Sequence, residues 1–396
     1  MLGRATNLLP AVGDAARNRS FLGPVAVAIA LALGGCGGGA RHGARPQPLP
    51  GASWPMFRGS PDLRGVAAGS IGDSPRIRWT CRAGDGIKSQ PAIADGRVVF
   101  GSDDGKLRAL DETAGRLLWE SAADGAIEAA PLLCDGLVII GDEGGTLRAL
   151  DAATGRPKWQ CATGDKIVGG AVPFQVPDGG LRVLFGSHDN SLRCADAATG
   201  AVVWSFETDG YVNATPAVAG GRTVVGGCDG LIRVIDVATG RQGHAVEAGS
   251  YVAAGGAMAD GRFYVGCYGG EVLCVDVGAC QIIWKYESKE GFFSSPAVSG
   301  GRIVIGGRDK RLHCLDAASG KLIWSFTTRG HIDASPVICG DRVIVASRDG
   351  RLYIVALSDG KEVLAIDLGS PISASPAVGA GKIFVATEDG TVVAIW

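Results

Sequence analysis

Residues 109–119 read ALDETAGRLLW, and closely similar runs return at 149–159 (ALDAATGRPKW) and 194–204 (CADAATGAVVW). The aspartate of each run marks a position that recurs at a fixed interval: Asp111, Asp151, Asp196, Asp236, Asp276 and Asp316, followed by Ala356 and Trp396 where the aspartate is lost. The interval is forty residues except between Asp151 and Asp196, where it is forty-five and FQVPDGG (174–180) predicts a loop insertion. A period of this length indicates a repeat architecture.

Each repeat predicts four short β-strands. Apolar triplets such as Val98-Val99-Phe100 and Ile303-Val304-Ile305 lie between turns rich in Gly and Asp, which is typical of buried strands. The next strand ends at the marker, and a further strand carries a tryptophan eight residues beyond it. A fourth strand precedes the triplet and follows a proline: Pro91, Pro131, Pro216, Pro296, Pro336 and Pro376. Four strands in forty residues make a propeller blade.

The two ends of the repeat array predict a closed ring. Trp79 occupies the tryptophan position with no earlier blade to belong to, and the last repeat stops at Trp396 before its own tryptophan strand. The strand around Trp79 is therefore expected to complete the blade formed by residues 371–396, which would remove the exposed edges of an open array. The prediction is an all-β, eight-bladed β-propeller closed by its N-terminal strand.

The tryptophan position predicts a docking contact between neighbouring blades. It holds Trp79, Trp119, Trp159, Trp204, Trp284 and Trp324, while His244 and Leu364 replace it in two blades. One large flat side chain per blade, at a constant offset, is expected to pack against the next blade and to need a backbone acceptor for its N–H.

These runs resemble the tryptophan-docking repeat of the quinoprotein (pyrroloquinoline quinone) propeller superfamily over residues 71–396. The segment WPMFRGSPDLRG (54–65) is similar to the opening segment of many bacterial proteins of this group. The resemblance implies the propeller fold and two functional alternatives. One is a quinone-dependent alcohol dehydrogenase, and the other is a non-enzymatic lipoprotein of the outer-membrane β-barrel assembly machinery.

The first 53 residues predict export and lipid anchoring. Arginines precede the apolar run FLGPVAVAIALAL (21–33), which is too short to span a bilayer and reads as a signal peptide over residues 1–35. Leu33-Gly34-Gly35-Cys36 resembles a lipobox, in which Cys36 is acylated. Residues 36–53 then form a flexible tether, and 54–396 the propeller.

Composition and motifs argue against several chemistries. The net charge of −2 offers no field for nucleic acid. None of the eleven cysteines is adjacent to another, whereas the dehydrogenases carry an adjacent pair over the cofactor. Acidic turns such as Asp103-Asp104 and Asp142-Glu143 lack calcium-loop spacing and are interpreted as solvated hairpin tips. No catalytic, cofactor-binding or metal-binding residue is therefore predicted, and no cofactor.

The remaining histidines and cysteines favour packing roles. His188 and His244 each replace the usual residue of a repeat position but stand in different blades. Most cysteines occupy positions that are apolar in other repeats, so reduced, buried thiols are expected; Cys280 differs because it replaces a turn glycine. The resulting hypothesis is a monomeric, non-catalytic scaffold that is lipid-anchored in the outer membrane facing the periplasm. Its expected partner is a protein, with the β-barrel assembly machinery as the most concrete candidate. The alternative is a quinone-dependent dehydrogenase or a small-molecule sensor using the central channel.

Overall fold

The computed structural model describes residues 53–176, 179–252 and 254–396. Within these ranges the chain contains strands and turns but no helix, and its strands form eight blades of four antiparallel strands each. The predicted eight-bladed propeller is confirmed. No helix in the described part is long and apolar enough to cross a membrane.

Strands are numbered in chain order, and each blade uses one strand from each of four sets. The innermost strands are β3 Ala92–Ala94, β7 Leu132–Cys134, β11 Val172–Gln175, β15 Ala217–Ala219, β19 Ala257–Ala259, β23 Ala297–Ser299, β27 Val337–Cys339 and β31 Ala377–Gly379. The second strands are β4 Arg97–Gly101, β8 Leu137–Gly141, β12 Leu181–Ser187, β16 Arg222–Gly226, β20 Arg262–Gly266, β24 Arg302–Gly306, β28 Arg342–Ala346 and β32 Lys382–Ala386. The third strands are β5 Lys106–Asp111, β9 Thr146–Asp151, β13 Ser191–Asp196, β17 Leu231–Asp236, β21 Glu271–Asp276, β25 Arg311–Asp316, β29 Arg351–Ala356 and β33 Thr391–Ile395. The outermost strands are β6 Leu117–Ala122, β10 Pro157–Ala162, β14 Val202–Glu207, β18 Gln242–Glu247, β22 Gln281–Glu287, β26 Leu322–Thr327, β30 Glu362–Asp367 and β2 Ile77–Arg82.

The ring is closed by β2, as the orphan tryptophan strand predicts. This strand pairs antiparallel with β33, with Trp79 opposite Ala394 and Arg82 opposite Thr391. The eighth blade therefore joins residues from the two ends of the propeller. The predicted loop insertion at 174–180 is partly wrong, because Phe174 and Gln175 belong to β11 and pair with Arg182 and Leu181. Burial of the Phe174 side chain extends the hairpin into the expected loop.

Every tryptophan at the repeat position donates its indole N–H to a backbone carbonyl of the next blade. The acceptor is the residue after the marker, and the distances lie between 3.0 and 3.2 Å for Trp79–Glu112, Trp119–Ala152, Trp159–Ala197, Trp204–Val237, Trp284–Ala317 and Trp324–Leu357. Each ring also covers a turn glycine of that next blade, at Gly115, Gly155, Gly200, Gly240, Gly320 and Gly360. A Cβ at any of these glycines would come within 2.6 Å of the ring, and all six have positive φ. The tryptophan ring and the glycine beneath it therefore form one docking unit, because a side chain on the glycine would clash with the ring.

The two blades without tryptophan are the two whose next docking glycine is missing. His244 precedes a turn in which Cys280 stands where the other turns have glycine, at a φ of 52°. The carbonyl of Val277, which would receive an indole N–H, accepts from Arg222 Nη1 at 2.8 Å. Leu364 precedes the eighth blade, whose outermost strand β2 comes from the other end of the propeller, so β33 is not joined to it by such a turn. A turn that no tryptophan ring covers does not require glycine, and this explains why Cys280 can stand at the glycine position.

Residues 54–67 pack inside one end of the central channel. Backbone N–H groups of successive inner strands donate to this segment: Leu133 to Pro55, Val218 to Pro61, Met258 to Asp62, Val298 to Arg64 and Ile338 to Gly65, at 2.7 to 3.0 Å. Trp54 forms a bridge with Ile93, and the short strand β1 (Val66–Ala67) pairs in parallel with β27. The segment therefore contacts most blades in turn and closes this end of the channel, which we call the plugged end.

Candidate functional site: the open mouth of the channel

The opposite end of the channel, which we call the open face, is built from two kinds of loop. One joins the outermost strand of a blade to the innermost strand of the next, and the other is the hairpin between the second and third strands. They surround a narrow polar cavity of about 190 Å³ whose lining includes Gln90, Thr215, Ser295, Ser335 and Ser375, each preceding an inner strand. The hydroxyls of Thr215, Ser335 and Ser375 accept N–H groups from the preceding blade and so tie adjacent blades at the channel wall.

The plug places one arginine in the middle of the channel. Arg58 is 0% exposed, and its guanidinium donates to the carbonyls of Pro336 at 2.6 Å and Pro296 at 2.9 Å. Its backbone N–H donates to Gln90. Among the described residues no carboxylate forms an ion pair with it. Burial lowers the pKa of Arg58 to about 9, so it still carries a positive charge at neutral pH.

One arc of the open face is aromatic. Tyr211, Tyr251 and Tyr268 are 49%, 57% and 45% exposed, and they are the exposed large aromatic side chains of the described chain. The first two lie in the loops β14–β15 and β18–β19, fifteen residues beyond their markers, and Tyr268 lies in the hairpin β20–β21. Phe293 continues this arc, with its ring centroid 4.0 Å from that of Tyr268. Four neighbouring rings therefore lie on one side of the mouth.

The other arc carries a network of ion pairs. Lys88 contacts Glu128 at 2.7 Å and Asp103 at 3.4 Å. Further along the same arc, Asp333 contacts Arg308 at 2.9 Å, and Arg348 bridges it to Glu388 through distances of 3.5 and 3.2 Å. These side chains are partly exposed, so the pairs contribute little to stability. Positive and negative side chains thus balance one another along this arc.

The interpretation of the acidic turns as solvated tips holds for Glu143, which is exposed, and is wrong for Asp104 and Asp142. Asp142 is 1% exposed and accepts from Arg148 at 2.6 Å. Asp104 binds Arg108 through two hydrogen bonds of 3.1 and 2.6 Å. Burial alone would raise the pKa of Asp104, but the hydrogen bonds from Arg108 hold that pKa below its ordinary value. The aspartates are used internally, because a guanidinium from the following strand reaches each of them.

Quinone and calcium do not fit the described residues. The channel cavity of about 190 Å³ is smaller than the roughly 300–1,000 Å³ that pockets for drug-sized ligands provide, so the size argument applies to the channel and not to the wider cavity beside Tyr211, Tyr251 and Tyr268. The described part of the chain contains no group of three His, Cys, Asp or Glu side chains able to hold a metal ion. Calcium requires about six to eight oxygen ligands, and the carboxylates of Glu128, Asp333 and Glu388 at this mouth already face lysine or arginine.

The histidines and cysteines named in the sequence analysis do not form one cluster in the described part of the chain. His188 stacks on Tyr211 at 4.7 Å with nearly parallel rings, and burial lowers its pKa, so the ring is neutral at pH 7. His244 is exposed on the outermost strand β18. All ten described cysteines are free, five of them buried and five half-buried. Cys36, the predicted lipidation site, lies outside the described residues.

An eight-bladed ring whose tryptophans bind the next blade's turn defines the class of quinoprotein-like propellers. The profile of the family described as outer membrane protein assembly factor BamB matches residues 69–173, 164–292, 269–356 and 336–395, and the chain belongs to this family.

Among solved structures, BamB from Moraxella catarrhalis is 18% identical and covers 81% of this chain and 99% of its own, with a TM-score of 0.68. Quinohemoprotein alcohol dehydrogenase from Comamonas testosteroni is 15% identical, covers 87% and 80%, and has a TM-score of 0.74. The computationally designed Ika8 protein is 18% identical, covers 79% and 96%, and has a TM-score of 0.68. At these identities the likeness concerns the fold. A search of curated proteins finds no sequence match.

Proposed function

We propose that the chain is a non-catalytic scaffold in the bacterial cell envelope, which binds a protein partner through the open face during outer-membrane protein assembly. The observation that carries the proposal is the asymmetry of the two ends of the channel. One end is filled by residues 54–67, whereas the other presents three exposed tyrosines beside an ion-paired arc. Tyrosine is enriched among the residues that dominate binding energy at protein interfaces.

The family assignment supports the assembly role, since the family is described as an outer membrane protein assembly factor. The anchoring part of the proposal rests on the sequence: Cys36 follows a short apolar run and would hold the propeller on the membrane through an acyl group. A Cys36→Ser variant is expected to lose incorporation of labelled palmitate and to be released from the membrane fraction. If the variant still incorporates palmitate and stays in the membrane fraction, the lipid anchor is refuted. The propeller fold and its binding face are not affected by that result.

The interface is tested by purifying the full-length chain from envelopes and identifying what accompanies it by mass spectrometry. The double variant Tyr251→Ser, Tyr268→Ser is expected to lose its partner. The matched variant Val203→Ser, Ile323→Ser changes equally exposed side chains on outermost strands and is expected to keep it. Equal recovery from both variants would contradict the proposal.

The second candidate is a quinone-dependent dehydrogenase, which the likeness to quinohemoprotein alcohol dehydrogenase favours. The small volume of the channel cavity, and the lack of a three-residue ligand cluster among the described residues, argue against it. Dye-linked alcohol oxidation after incubation with pyrroloquinoline quinone and Ca²⁺ separates the two. Turnover that depends on both additions would establish the dehydrogenase and overturn the scaffold proposal.

A further inference from the structure

A second, wider cavity lies at the aromatic arc. It encloses about 620 Å³ and is lined by residues that include Asn190, Asp209, Tyr211, Asn213, Tyr251 and Tyr268. The rings of Tyr251 and Tyr268 lie 6.4 Å apart at 70° to each other, so they form two walls that meet almost at a right angle. One face of Tyr211 is covered by His188, which leaves the other face free for a ligand. We call this cavity the tyrosine cage.

The charge of the cage favours a cation. Neither lysine nor arginine lines it. The guanidinium of Arg233, which faces Asp209 at the rim, is buried and paired with Asp229 at 2.6 Å. Asp209 lies 3.9 Å from that guanidinium, and its side chain is 93% exposed. Arg233, Asp229 and Asp209 together carry a net charge of −1. The carboxylate that is not closely paired is that of Asp209, at the rim of the cage.

The polar atoms of the cage also favour a donor. The side-chain oxygen of Asn190 accepts no hydrogen bond from the described chain and is shielded from solvent. An acceptor in this state costs about 1–3 kcal/mol relative to a satisfied one. The terminal torsion of an asparagine is soft, so a small rotation of the Asn190 amide can present its oxygen to a donor entering the cavity.

The same row of rings already binds one cation of the chain itself. The Arg308 guanidinium carbon lies 3.3 Å from the centroid of the Phe293 ring, and Phe293 contacts Tyr268. A guanidinium at this distance is held by attraction between its charge and the ring face. The aromatic arc is therefore occupied at its Phe293 end and open at its tyrosine end.

We propose that the tyrosine cage binds an organic cation: an ammonium or guanidinium group seated between Tyr251 and Tyr268, with Asp209 at the rim. Aromatic walls at an angle, one carboxylate and an acceptor oxygen together match such a group, because the ring faces and the oxygens all attract positive charge. The inference goes beyond the proposed function and shares with it only the choice of face. The cation has two sources, either a free small molecule or a Lys or Arg side chain of a protein partner.

The test is titration of the purified full-length chain with choline, followed by tyrosine fluorescence or NMR. Its neutral isostere, 3,3-dimethylbutan-1-ol, has the same shape without the charge and is expected to bind at least about fivefold more weakly. Tyr251→Leu and Tyr268→Leu should each weaken choline binding by about fivefold, whereas the corresponding Phe variants should retain it because the ring face remains. Equal binding of choline and the isostere, or wild-type affinity in both Leu variants, would overturn the proposal.

Charge is tested separately. Asp209→Asn is expected to weaken choline binding, while Asp341→Asn, an exposed carboxylate at the plugged end, is expected to leave it unchanged. Titration with Nα-acetyl-lysine methylamide and Nα-acetyl-arginine methylamide distinguishes the sources. Tighter binding of either than of choline assigns the cage to a partner's side chain, and tighter binding of choline assigns it to a free cation. Failure of all three to bind a chain that is folded by circular dichroism would refute the cage and leave the partner experiment unaffected.

Discussion

Replacing the docking glycine Gly155 by alanine should destabilise the propeller far more than the same change elsewhere in the same blade. An added Cβ at Gly155 would lie 2.6 Å from Cε3 and 2.7 Å from Cδ2 of Trp119, at a φ of +70°. The left-handed backbone conformation costs an alanine about 1 kcal/mol. The clash adds about 1–3 kcal/mol as the ring is displaced, and its 3.1 Å hydrogen bond to Ala152 weakens by about 1 kcal/mol. The expected loss is about 3–5 kcal/mol.

Gly136 is the matched control. It lies in the same blade at a φ of +74°, and nothing stands within 4 Å of an added Cβ. Gly136→Ala should therefore show only the backbone cost of about 1 kcal/mol. Urea unfolding followed by far-ultraviolet circular dichroism measures both variants. A Trp119→Ala background should reduce the cost of Gly155→Ala to that of the control. Equal unfolding midpoints for the two alanine variants in the wild-type background would refute the docking argument.

Three further predictions follow from the same contacts. His244→Trp alone should not stabilise the chain, because the Cβ of Cys280 stands where the ring would lie, whereas His244→Trp with Cys280→Gly should raise the midpoint; additive effects of the two changes would contradict this. Trp54→Ala removes a side chain that is 1% exposed and should cost about 3–5 kcal/mol, and a loss below about 1 kcal/mol would show that the plug adds little to the ring. Burial raises the pKa of the Cys194 and Cys267 thiols to about 12, so iodoacetamide at pH 9 should label them only after unfolding. The unfolded chain loses these protons first, near pH 8.5, so the free energy of unfolding should fall as pH rises from about 8.5 to 12. Rapid labelling of the folded chain, or a free energy of unfolding that rises over this pH range, would contradict the raised pKa of these buried thiols.

The architecture can be predicted from the sequence because each repeat marks the ends of its strands with the same residue types. The marker aspartate, the turn glycine and the tryptophan recur at fixed offsets, and the orphan strand at Trp79 predicts its pairing with β33. The predicted loop at 174–180 starts too early, since Phe174 and Gln175 continue β11 and pair with β12. The buried aspartates were misread for a related reason: their arginine partners stand on the following strand, at a spacing that turn composition does not reveal.

The candidate site was less accessible to sequence reasoning. Residues 54–67 lie outside the repeat. They bind the inner strands through backbone hydrogen bonds, which the pattern of side chains in the sequence does not predict. The open face did leave a signal. Tyr211 and Tyr251 share one repeat position, and Tyr268 occupies a position that holds a charged residue in most other blades, such as Arg308 and Arg348. Comparison within each position, rather than a search for catalytic motifs, would have found the aromatic arc.

The central claim is that the open face binds a protein, and site-specific photocrosslinking in intact envelopes tests it most directly. A photoreactive amino acid at position 211, 251 or 268 should crosslink one partner, whereas the same group at the equally exposed Val203 on β14 should not. Recovery of an outer-membrane assembly protein at the tyrosine positions alone is the result that the account predicts. The same products at all four positions, or crosslinks at Val203 alone, would contradict it.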